Sequence, residues 1–389
     1  MSIAEPVTIA APLKPVSSYV KGLDGVVAAQ TTLSSIDGQR GILTYRGIDI
    51  HELAEKASYE EVVYLLWYGK LPNRRELADL EARLAANRPI PTQIINILRA
   101  TPDNGIPMVV LRNAVSALAM FDPDAEDLSP EATRRKAERL TAQMGTIMAA
   151  YHRIRQGLEP IDPDPRLGHT PNLLYMLTGD QPDPMSVKAL DLYQTLLADH
   201  GMNASTFTAR VVASTQADLH SAVAAALGAL KGPLHGGAAE ATMRTLFEIG
   251  KVEEADAFVD NAFKTRRKIM GIGHRVYKTG DPRAVHLQKW SRMMGEKNGE
   301  LKWYEILLEV EKAVLKYRQL YPNVDFFSST MLYYIGIPVD MFTPMFAASR
   351  IAGWSAHVIE QYAENVLIRP QSEFIGQLDQ HYIPIDKRQ

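Results

Sequence analysis

Apolar residues recur at the three-to-four-residue spacing of an α-helix along most of the chain. The stretch SYEEVVYLLWYG, residues 58–69, shows this spacing on one face. Ser58 is suited to begin this helix, since its hydroxyl can accept a first-turn N–H, and Gly69 is suited to end it. The apolar face of this segment collects Tyr59, Val62, Val63 and Leu66.

Three longer segments repeat the amphipathic pattern, and Pro-rich joints separate them from their neighbours. The predicted long helices cover residues 132–157, 301–318 and 341–364. The joints cover residues 121–130, 158–171 and 179–184. Alternating strand patterns are scarce, apart from a short hairpin predicted near residues 34–47. The pattern therefore predicts an all-α protein.

Composition narrows the class of protein. A length of 389 residues suggests two or three domains, or one large domain with an insertion. The 46% hydrophobic and 22% charged content is typical of a soluble globular protein. A net charge of -3 gives no general affinity for nucleic acid or for an anionic membrane. The N-terminal residues lack the features of a signal or transit peptide, so we expect a cytoplasmic location. Because the chain has no cysteine, disulfides, thiolate nucleophiles and Cys-based zinc sites are excluded.

The ten histidines are the first candidates for chemistry, since imidazole titrates near neutral pH. His152, His286 and His381 lie among polar residues, and we expect them at the surface. His200, His235 and His274 differ because each stands close to a glycine, which allows another backbone or a ligand to come near. For each of the three taken alone, a structural role is the alternative.

His235 lies in a break between two predicted helices. Pro233 stops the first helix, and Gly236 and Gly237 lead into the second. The positive end of the second helix dipole disfavours a further positive charge there, so the ring should stay neutral. A neutral imidazole can donate a hydrogen bond to a carbonyl oxygen that gains negative charge. The alternative is a histidine that only caps the helix.

The loop GIGHRVYKTGDPRA, residues 271–284, has the composition of a ligand-binding loop. It holds three glycines, His274 and the basic side chains of Arg275, Lys278 and Arg283. Backbone N–H groups and positive charge suit phosphate or carboxylate ligands. The loop lacks the pattern of a P-loop. A solvated basic turn is the alternative.

Two charged residues stand within apolar stretches. Asp325 lies in YPNVDFFSSTMLYYIGIP, where burial would raise its pKa and suit it to act as a general base; a helix N-cap is the alternative. Arg350 shares a helical face with Phe346 and Trp354 and has no acidic neighbour in sequence. A buried arginine needs an anion, either a substrate carboxylate or a structural salt bridge.

Two other kinds of site lack their sequence patterns. The chain has no H-E-x-x-H and no His-x-His pair, so no metal site is predicted. It also has no G-x-S-x-G, the turn that presents the nucleophile of an α/β-hydrolase.

Six motifs in fixed order resemble the citrate synthase family: ADHGMNAS, GPLHGGA, GIGHRVYKTGDPRA, NVDFFSS, ASRIAGW and IRPQS. The resemblance extends from TYRGIDI at residues 44–50 to IRPQS. It implies an all-α homodimer in which a small domain closes over the active-site cleft of a large one. The implied segments are a flexible leader at 1–19, the large domain at 20–221 and 335–389, and the small domain at 222–334.

The resemblance also implies a role for each matching residue. Asp325 would remove a proton from acetyl-CoA, His235 would stabilise the enolate, and His274 would donate a proton to oxaloacetate. The implied oxaloacetate ligands are His200, Arg283, Arg350 and Arg369, of which Arg369 would reach the neighbouring subunit's site. The implied CoA-binding backbone includes Gly271, Ile272, Gly273 and Arg275. The family needs no metal and no cofactor, since acetyl-CoA is a substrate.

Two alternatives remain beside a citrate-forming enzyme. The 2-methylcitrate synthases share these motifs and use propionyl-CoA, and one extra methylene changes discrimination by only about 1–3 kcal/mol. A non-catalytic helical binding or assembly protein could keep the same pocket. The joint presence of Asp325, His235 and His274 disfavours this second alternative.

Overall fold

The computed structural model describes residues 19–378 and 380–388, so the predicted leader at 1–19 lies outside them except for Tyr19. Helices make up 61% of the structure and strands 3%, which confirms the predicted all-α class. None of the described helices combines the length and apolar character needed to cross a membrane.

Sixteen α-helices follow one another along the described residues. The first eight are α1 (Ile50–Lys56), α2 (Tyr59–Tyr68), α3 (Arg74–Asn87), α4 (Thr92–Arg99), α5 (Pro107–Leu118), α6 (Pro130–Ile154), α7 (His169–Thr178) and α8 (Pro184–Leu197). The others are α9 (Ala204–Ser214), α10 (Leu219–Leu230), α11 (Ala238–Ile249), α12 (Ala255–Thr265), α13 (Ala284–Asn298), α14 (Lys302–Tyr317), α15 (Val324–Ile335) and α16 (Phe342–Ala363).

The predicted hairpin is present as the first part of a small antiparallel sheet. Its strands are β1 (Ser34–Asp37), β2 (Ile42–Tyr45) and β3 (Ile48–Asp49), in the order β1-β2-β3. In the first pair Ser34 lies opposite Tyr45, and Asp37 lies opposite Ile42. Four residues, 38–41, therefore form the tip of the β1–β2 hairpin.

Local signals set the helix ends as predicted. The Ser58 hydroxyl accepts the N–H of Glu61, and the Glu61 carboxylate accepts the N–H of Ser58, which makes a capping box at the start of α2. Gly69 ends α2 at φ 77°, a conformation that glycine adopts without strain. The three predicted long helices correspond to α6, α14 and α16 within a few residues at each end.

Helix α16 lies at the centre of the fold. It is buried on all sides along most of its length and packs against α2, α6, α8, α9 and α10. Buried side chains of these helices belong to one continuous apolar core. A charged group on α16 is consequently held in a fixed place away from water, and Arg350 is such a group.

The chain divides into two compact units. The central unit is Thr31–Ile368, and the terminal unit comprises the residues before Thr31 and those from Arg369 onward. Described parts of the terminal unit contain short 3-10 turns at Lys21–Leu23 and Ile385–Lys387. The predicted large and small domains, 20–221 with 335–389 and 222–334, stay a prediction.

Candidate active site

Six of the predicted catalytic and oxaloacetate-binding residues belong to the central unit, and five of them stand at helix ends or in the connections between helices. His200 follows α8, His235 lies between α10 and α11, and His274 lies between α12 and α13. Arg283 is the N-cap residue of α13 and Asp325 lies in the first turn of α15. Arg350 is the exception, since it projects from the middle of α16.

Aromatic contacts bring His200 and His274 together around a tyrosine. The ring centroids of His200 and His274 are 5.3 Å apart, and the hydroxyl of Tyr277 lies 3.1 Å from Nε2 of His200. The Tyr277 ring also packs 4.6 Å from that of His274. Burial, with the charges of Arg283 and Arg350, holds the pKa of His200 well below its usual value. His200 is therefore neutral at physiological pH.

Two backbone N–H groups determine the tautomer of His274. Val276 and Tyr277 both donate to Nδ1, at 3.0 and 3.2 Å. Burial, with the charge of Arg283, lowers the pKa of His274 to about 4. A neutral ring whose Nδ1 accepts must carry its proton on Nε2. His274 thus presents Nε2–H as a hydrogen-bond donor.

The opposite tautomer is favoured at His235. The backbone N–H of Ser205, in the first turn of α9, donates to Nε2 at 3.3 Å, and the Ser205 hydroxyl lies 2.8 Å from the same atom. Burial, with the charge of Arg350, lowers the pKa of His235 to about 4. The neutral ring then carries its proton on Nδ1. The alternative role as a cap of α11 is wrong, because Gly237 is that N-cap residue and no side chain bonds there.

Asp325 does not cap its helix either. Asn323 is the N-cap residue of α15, and its side-chain oxygen accepts the N–H of Asp325. Within the described residues the Asp325 carboxylate accepts no hydrogen bond from the protein. Burial raises its pKa to about 7, although the charges of Arg283 and Arg350 oppose the rise. The structure therefore leaves a carboxylate that can accept a proton near neutral pH.

Arg350 is 1% exposed and has no ion-pair partner among the described residues. Its Nε donates to the carbonyl oxygen of Leu197 at 2.5 Å, and its guanidinium lies 4.8 Å from the centre of the Phe346 ring. Burial lowers the pKa of Arg350 to about 10, against the raising effect of the Asp199 charge. The predicted alternative of a structural salt bridge is thus wrong, and the site retains an uncompensated buried cation.

Arg283 is buried too, but it is already paired. Its Nε and Nη2 donate to the two carboxylate oxygens of Asp281 at 2.9 and 2.7 Å. Although burial alone lowers the pKa of Arg283, the Asp281 charge reverses the effect and raises it. The basic loop is therefore partly neutralised from within, since Asp281 and Arg283 both belong to it.

The glycine-rich part of the loop is tied to the start of α15. Gly273 N–H donates to the carbonyl of Tyr321 at 2.8 Å, and Asn323 N–H donates to the carbonyl of Gly271 at 2.9 Å. Ile272 forms an isolated antiparallel bridge with Pro322. The side-chain amide of Asn323 also donates to the carbonyl of Gly273. These bonds already occupy three backbone polar groups of the predicted CoA-binding segment. The CoA role of Gly271, Ile272, Gly273 and Arg275 stays a prediction.

Arg369 begins the C-terminal segment of the terminal unit, whereas the other predicted site residues lie in the central unit. Its role in a neighbouring subunit's site stays a prediction. Across the described residues, no cluster of three or more His, Asp or Glu side chains has the arrangement of a metal site.

Several site residues were not predicted from sequence. Tyr277 and Asp281 lie inside the loop that was singled out, and Ser205 lies in the motif that contains His200. Their position inside these motifs is the only feature of the sequence that points to them, because the residues that they contact are brought near by the fold. The expectation for His152 is wrong: it is 9% exposed, beneath the Arg155–Asp340 ion pair at the end of α6.

Comparison with known proteins identifies the family of the chain. The family model described as "Citrate synthase, C-terminal domain" matches residues 22–371. The chain belongs to the citrate synthase family. Citrate synthase 2 of Bacillus subtilis (strain 168) is 47% identical over 369 residues, 95% of this chain and 99% of that protein. A 2-methylcitrate synthase of Mycobacterium tuberculosis (strain H37Rv) is 42% identical over 364 residues, 94% and 92% of the two chains.

Solved structures of the family have the same fold. A citrate synthase from Pyrobaculum aerophilum superposes with a TM-score of 0.90 at 43% identity, covering 99% of this chain and all of that one. The ternary complex of the Thermoplasma acidophilum citrate synthase with carboxymethyl coenzyme A and oxaloacetate gives 0.92 at 33% identity, covering 96% and 100%. The prediction of an all-α acyltransferase of the citrate synthase type is confirmed.

Proposed function

We propose that the protein condenses acetyl-CoA with oxaloacetate and hydrolyses the citryl thioester to citrate and CoA. One observation carries the proposal. The charges of Arg283 and Arg350 both act on Asp325, a carboxylate that accepts no hydrogen bond within the described residues, and they also act on the neutral imidazoles of His274 and His235, respectively. The tautomers of these two rings present opposite ring nitrogens as donors. One base and two neutral donors are what a carbon–carbon condensation through an enolate requires.

Proton transfer begins the proposed reaction. Asp325 takes a proton from the methyl group of acetyl-CoA, and a carboxylate with a pKa of about 7 is suited to hold it. Negative charge then builds on the thioester oxygen. The Nδ1–H of His235 donates a hydrogen bond to that oxygen and stabilises its charge. Because the ring is neutral, no imidazolium ion has to be buried in the site.

Bond formation uses the other imidazole. The enolate carbon attacks the ketone carbon of oxaloacetate, and the ketone oxygen takes a proton from Nε2 of His274. Water then cleaves the thioester bond, which releases CoA with its thiol and leaves citrate. This hydrolysis makes the overall reaction irreversible.

Oxaloacetate brings two carboxylates, and the buried cation of Arg350 supplies one complementary charge. The Asp281-paired Arg283, His200 and Arg369 complete the proposed ligand set. The buried Phe346 beside Arg350 excludes water, which strengthens this interaction.

Further properties belong to the proposal. The backbone of residues 271–275 would contact CoA, and closure of the small domain would exclude water from the enolate. We also propose a homodimer, in which Arg369 completes the neighbouring site, a cytoplasmic location and a reaction without cofactor or metal.

The test is thiol release. Purified protein mixed with acetyl-CoA and oxaloacetate should liberate free CoA thiol, which a thiol reagent reports cleanly because the chain has no cysteine. Omission of oxaloacetate is the control. Folded protein that releases no thiol would refute the proposal and leave a non-catalytic helical protein.

Propionyl-CoA is the second candidate substrate, since a 2-methylcitrate synthase is 42% identical to this chain. We expect kcat/KM for acetyl-CoA to exceed that for propionyl-CoA by about tenfold or more, which corresponds to one methylene in a fitted pocket. Equal or reversed values would identify a 2-methylcitrate synthase.

A further inference from the structure

The β1–β2 hairpin touches both segments that carry the paired histidines. At its base, the Ser34 hydroxyl donates to Asp199 at 2.6 Å and accepts the N–H of Gly201 at 3.0 Å, so it holds both neighbours of His200. At its tip, the N–H of Lys278 donates to the carbonyl of Gly38 at 2.9 Å. The hairpin thus bridges the His200 segment and the His274 loop.

The tip is rigid. The Asp37 carboxylate accepts the N–H groups of Gln39 and Arg40, both at 3.0 Å, which closes the turn on itself. Gly41 follows at φ 66°, where a side chain would be strained. Because these bonds fix the backbone of the turn, a segment that packs against the turn is also held in place.

Gly38 is in very close contact with the loop. A Cβ placed on Gly38 would lie 2.3 Å from the carbonyl oxygen of Val276 and 2.8 Å from its carbon. Gly38 has no positive φ, so only the approach of Val276 requires glycine here. Both colliding atoms belong to backbone, which cannot turn aside as a flexible side chain can.

The peptide that Gly38 touches is the one that orients His274. The carbonyl of Val276 and the N–H of Tyr277 belong to one planar unit and point in opposite directions. The carbonyl faces Gly38, while the N–H donates to Nδ1 of His274 at 3.2 Å. A shift of this peptide would therefore move a donor that determines which nitrogen of His274 carries the proton. The same shift would move the Tyr277 hydroxyl away from His200.

We propose that the hairpin tip, residues 38–41, together with Asp37 is a positioning element. It holds the Val276–Tyr277 peptide and thereby keeps His274 in its Nε2–H tautomer. Gly38 is the positioning residue at its centre. The inference rests on the role of His274 as proton donor proposed above, since a tautomer matters to turnover only if that proton is used.

Gly38→Ala tests the idea, with Gly228→Ala as the matched control. Gly228 lies inside α10, and a Cβ there would meet only the Arg112 side chain, at 4.0 Å. We expect Gly38→Ala to lower kcat by about 10- to 100-fold, the effect of a displacement near 1 Å. The control should keep the parent kcat. Equal kcat values for Gly38→Ala and the parent would overturn the proposal.

A spectroscopic measurement separates this proposal from the proposed function. The ¹⁵N shifts of the His274 ring should show a protonated Nε2 in the parent and in Gly228→Ala, and a mixture of tautomers in Gly38→Ala. An unchanged ring spectrum in Gly38→Ala would overturn the positioning role whatever its activity. By contrast, His274→Gln with the parent's kcat would refute the role of His274 and leave the spectroscopic result standing.

A second variant covers the outcome in which Gly38→Ala fails to fold. Asp37→Ala removes the acceptor that closes the turn and introduces no collision. We expect a smaller loss of kcat with the same change in the His274 ring spectrum. A parent-like spectrum in a folded Asp37→Ala protein would likewise count against the proposal.

Discussion

Two enclosed carboxylates, Asp325 and Asp199, lie near the same arginine and differ in ionisation. Burial disfavours the ionised form of both, yet the pKa of Asp325 is raised to about 7 whereas the pKa of Asp199 is lowered to about 2. The charge of Arg350 lowers both values. The difference must therefore come from the other partners of each group.

Asp199 is surrounded by partners. Its Oδ2 accepts from the Ser34 hydroxyl at 2.6 Å and from the N–H of Gly201 at 3.2 Å, and its Oδ1 lies 3.2 Å from Nε2 of His357. Asp325 has no such bonds within the described residues. Partners stabilise the ionised form and make Asp199 structural, whereas their absence leaves Asp325 able to exchange a proton.

The largest expected effect comes from Asp325→Asn. Removing the base should lower kcat by about 10³-fold while oxaloacetate still binds, because the amide keeps the shape of the side chain. Turnover in a thiol-release assay and oxaloacetate affinity by calorimetry check this. A kcat near that of the parent would remove Asp325 from the role of base.

Asp325→Asn should also be more stable than the parent at pH 8. The folded-state pKa of about 7 lies above the unfolded value of 3.8, so the ionised group costs stability, and the cost grows as pH rises from about 4 to 7. The gain should be on the order of 2 kcal/mol at pH 8, after allowing for partial exposure, and should vanish near pH 4. Thermal unfolding at the two pH values measures it.

Arg350→Leu removes the positive charge that lowers the pKa of both Asp325 and Asp199. The variant should fold, since the surroundings are apolar, but oxaloacetate should bind about 100-fold more weakly, because a buried carboxylate would lose its cation. Isothermal calorimetry gives the affinity and circular dichroism the fold. Loss of folding with normal binding by the residual folded protein would instead assign Arg350 a structural role.

Asp199→Asn should act on stability. The folded-state pKa of about 2 lies below the unfolded value, so the ionised group contributes stability above about pH 4 that is lost as pH falls toward 2. We expect a loss on the order of 2 kcal/mol at pH 7, measured by denaturant unfolding. If Asp199→Asn matched the stability of the parent, the contacts of the carboxylate with His357 and Ser34 would not be the cause of the low pKa.

The smallest expected effect is on the pH dependence of kcat/KM. Since the base must be ionised, kcat/KM should rise with pH through a midpoint near 7 and then level off. His235 and His274, each with a pKa of about 4, remain neutral across this range. A midpoint near 4 would show that Asp325 is as well stabilised as an exposed carboxylate.

Much of the fold could be predicted because its signals are local. The capping box at Ser58 and the glycine at Gly69 act within one turn of α2, and the apolar spacing that predicts α16 is read along a single segment. The glycine neighbours of three histidines also singled out His200 and His274, whose rings the fold places 5.3 Å apart.

Sequence by itself determined the helices, the hairpin and the choice of the groups that we propose carry chemistry. Tertiary structure decided their chemical state. The proton position on His235 depends on Ser205, 30 residues away. The ionisation of Asp199 depends first on His357, which belongs to α16, and then on Ser34, 165 residues away. Only the fold shows that Asn323, not Asp325, caps α15, and that Arg350 lacks an acidic partner among the described residues. Helix formation is set by neighbours within four residues, whereas pKa and tautomer are set by whichever charges and donors the fold brings within a few ångströms.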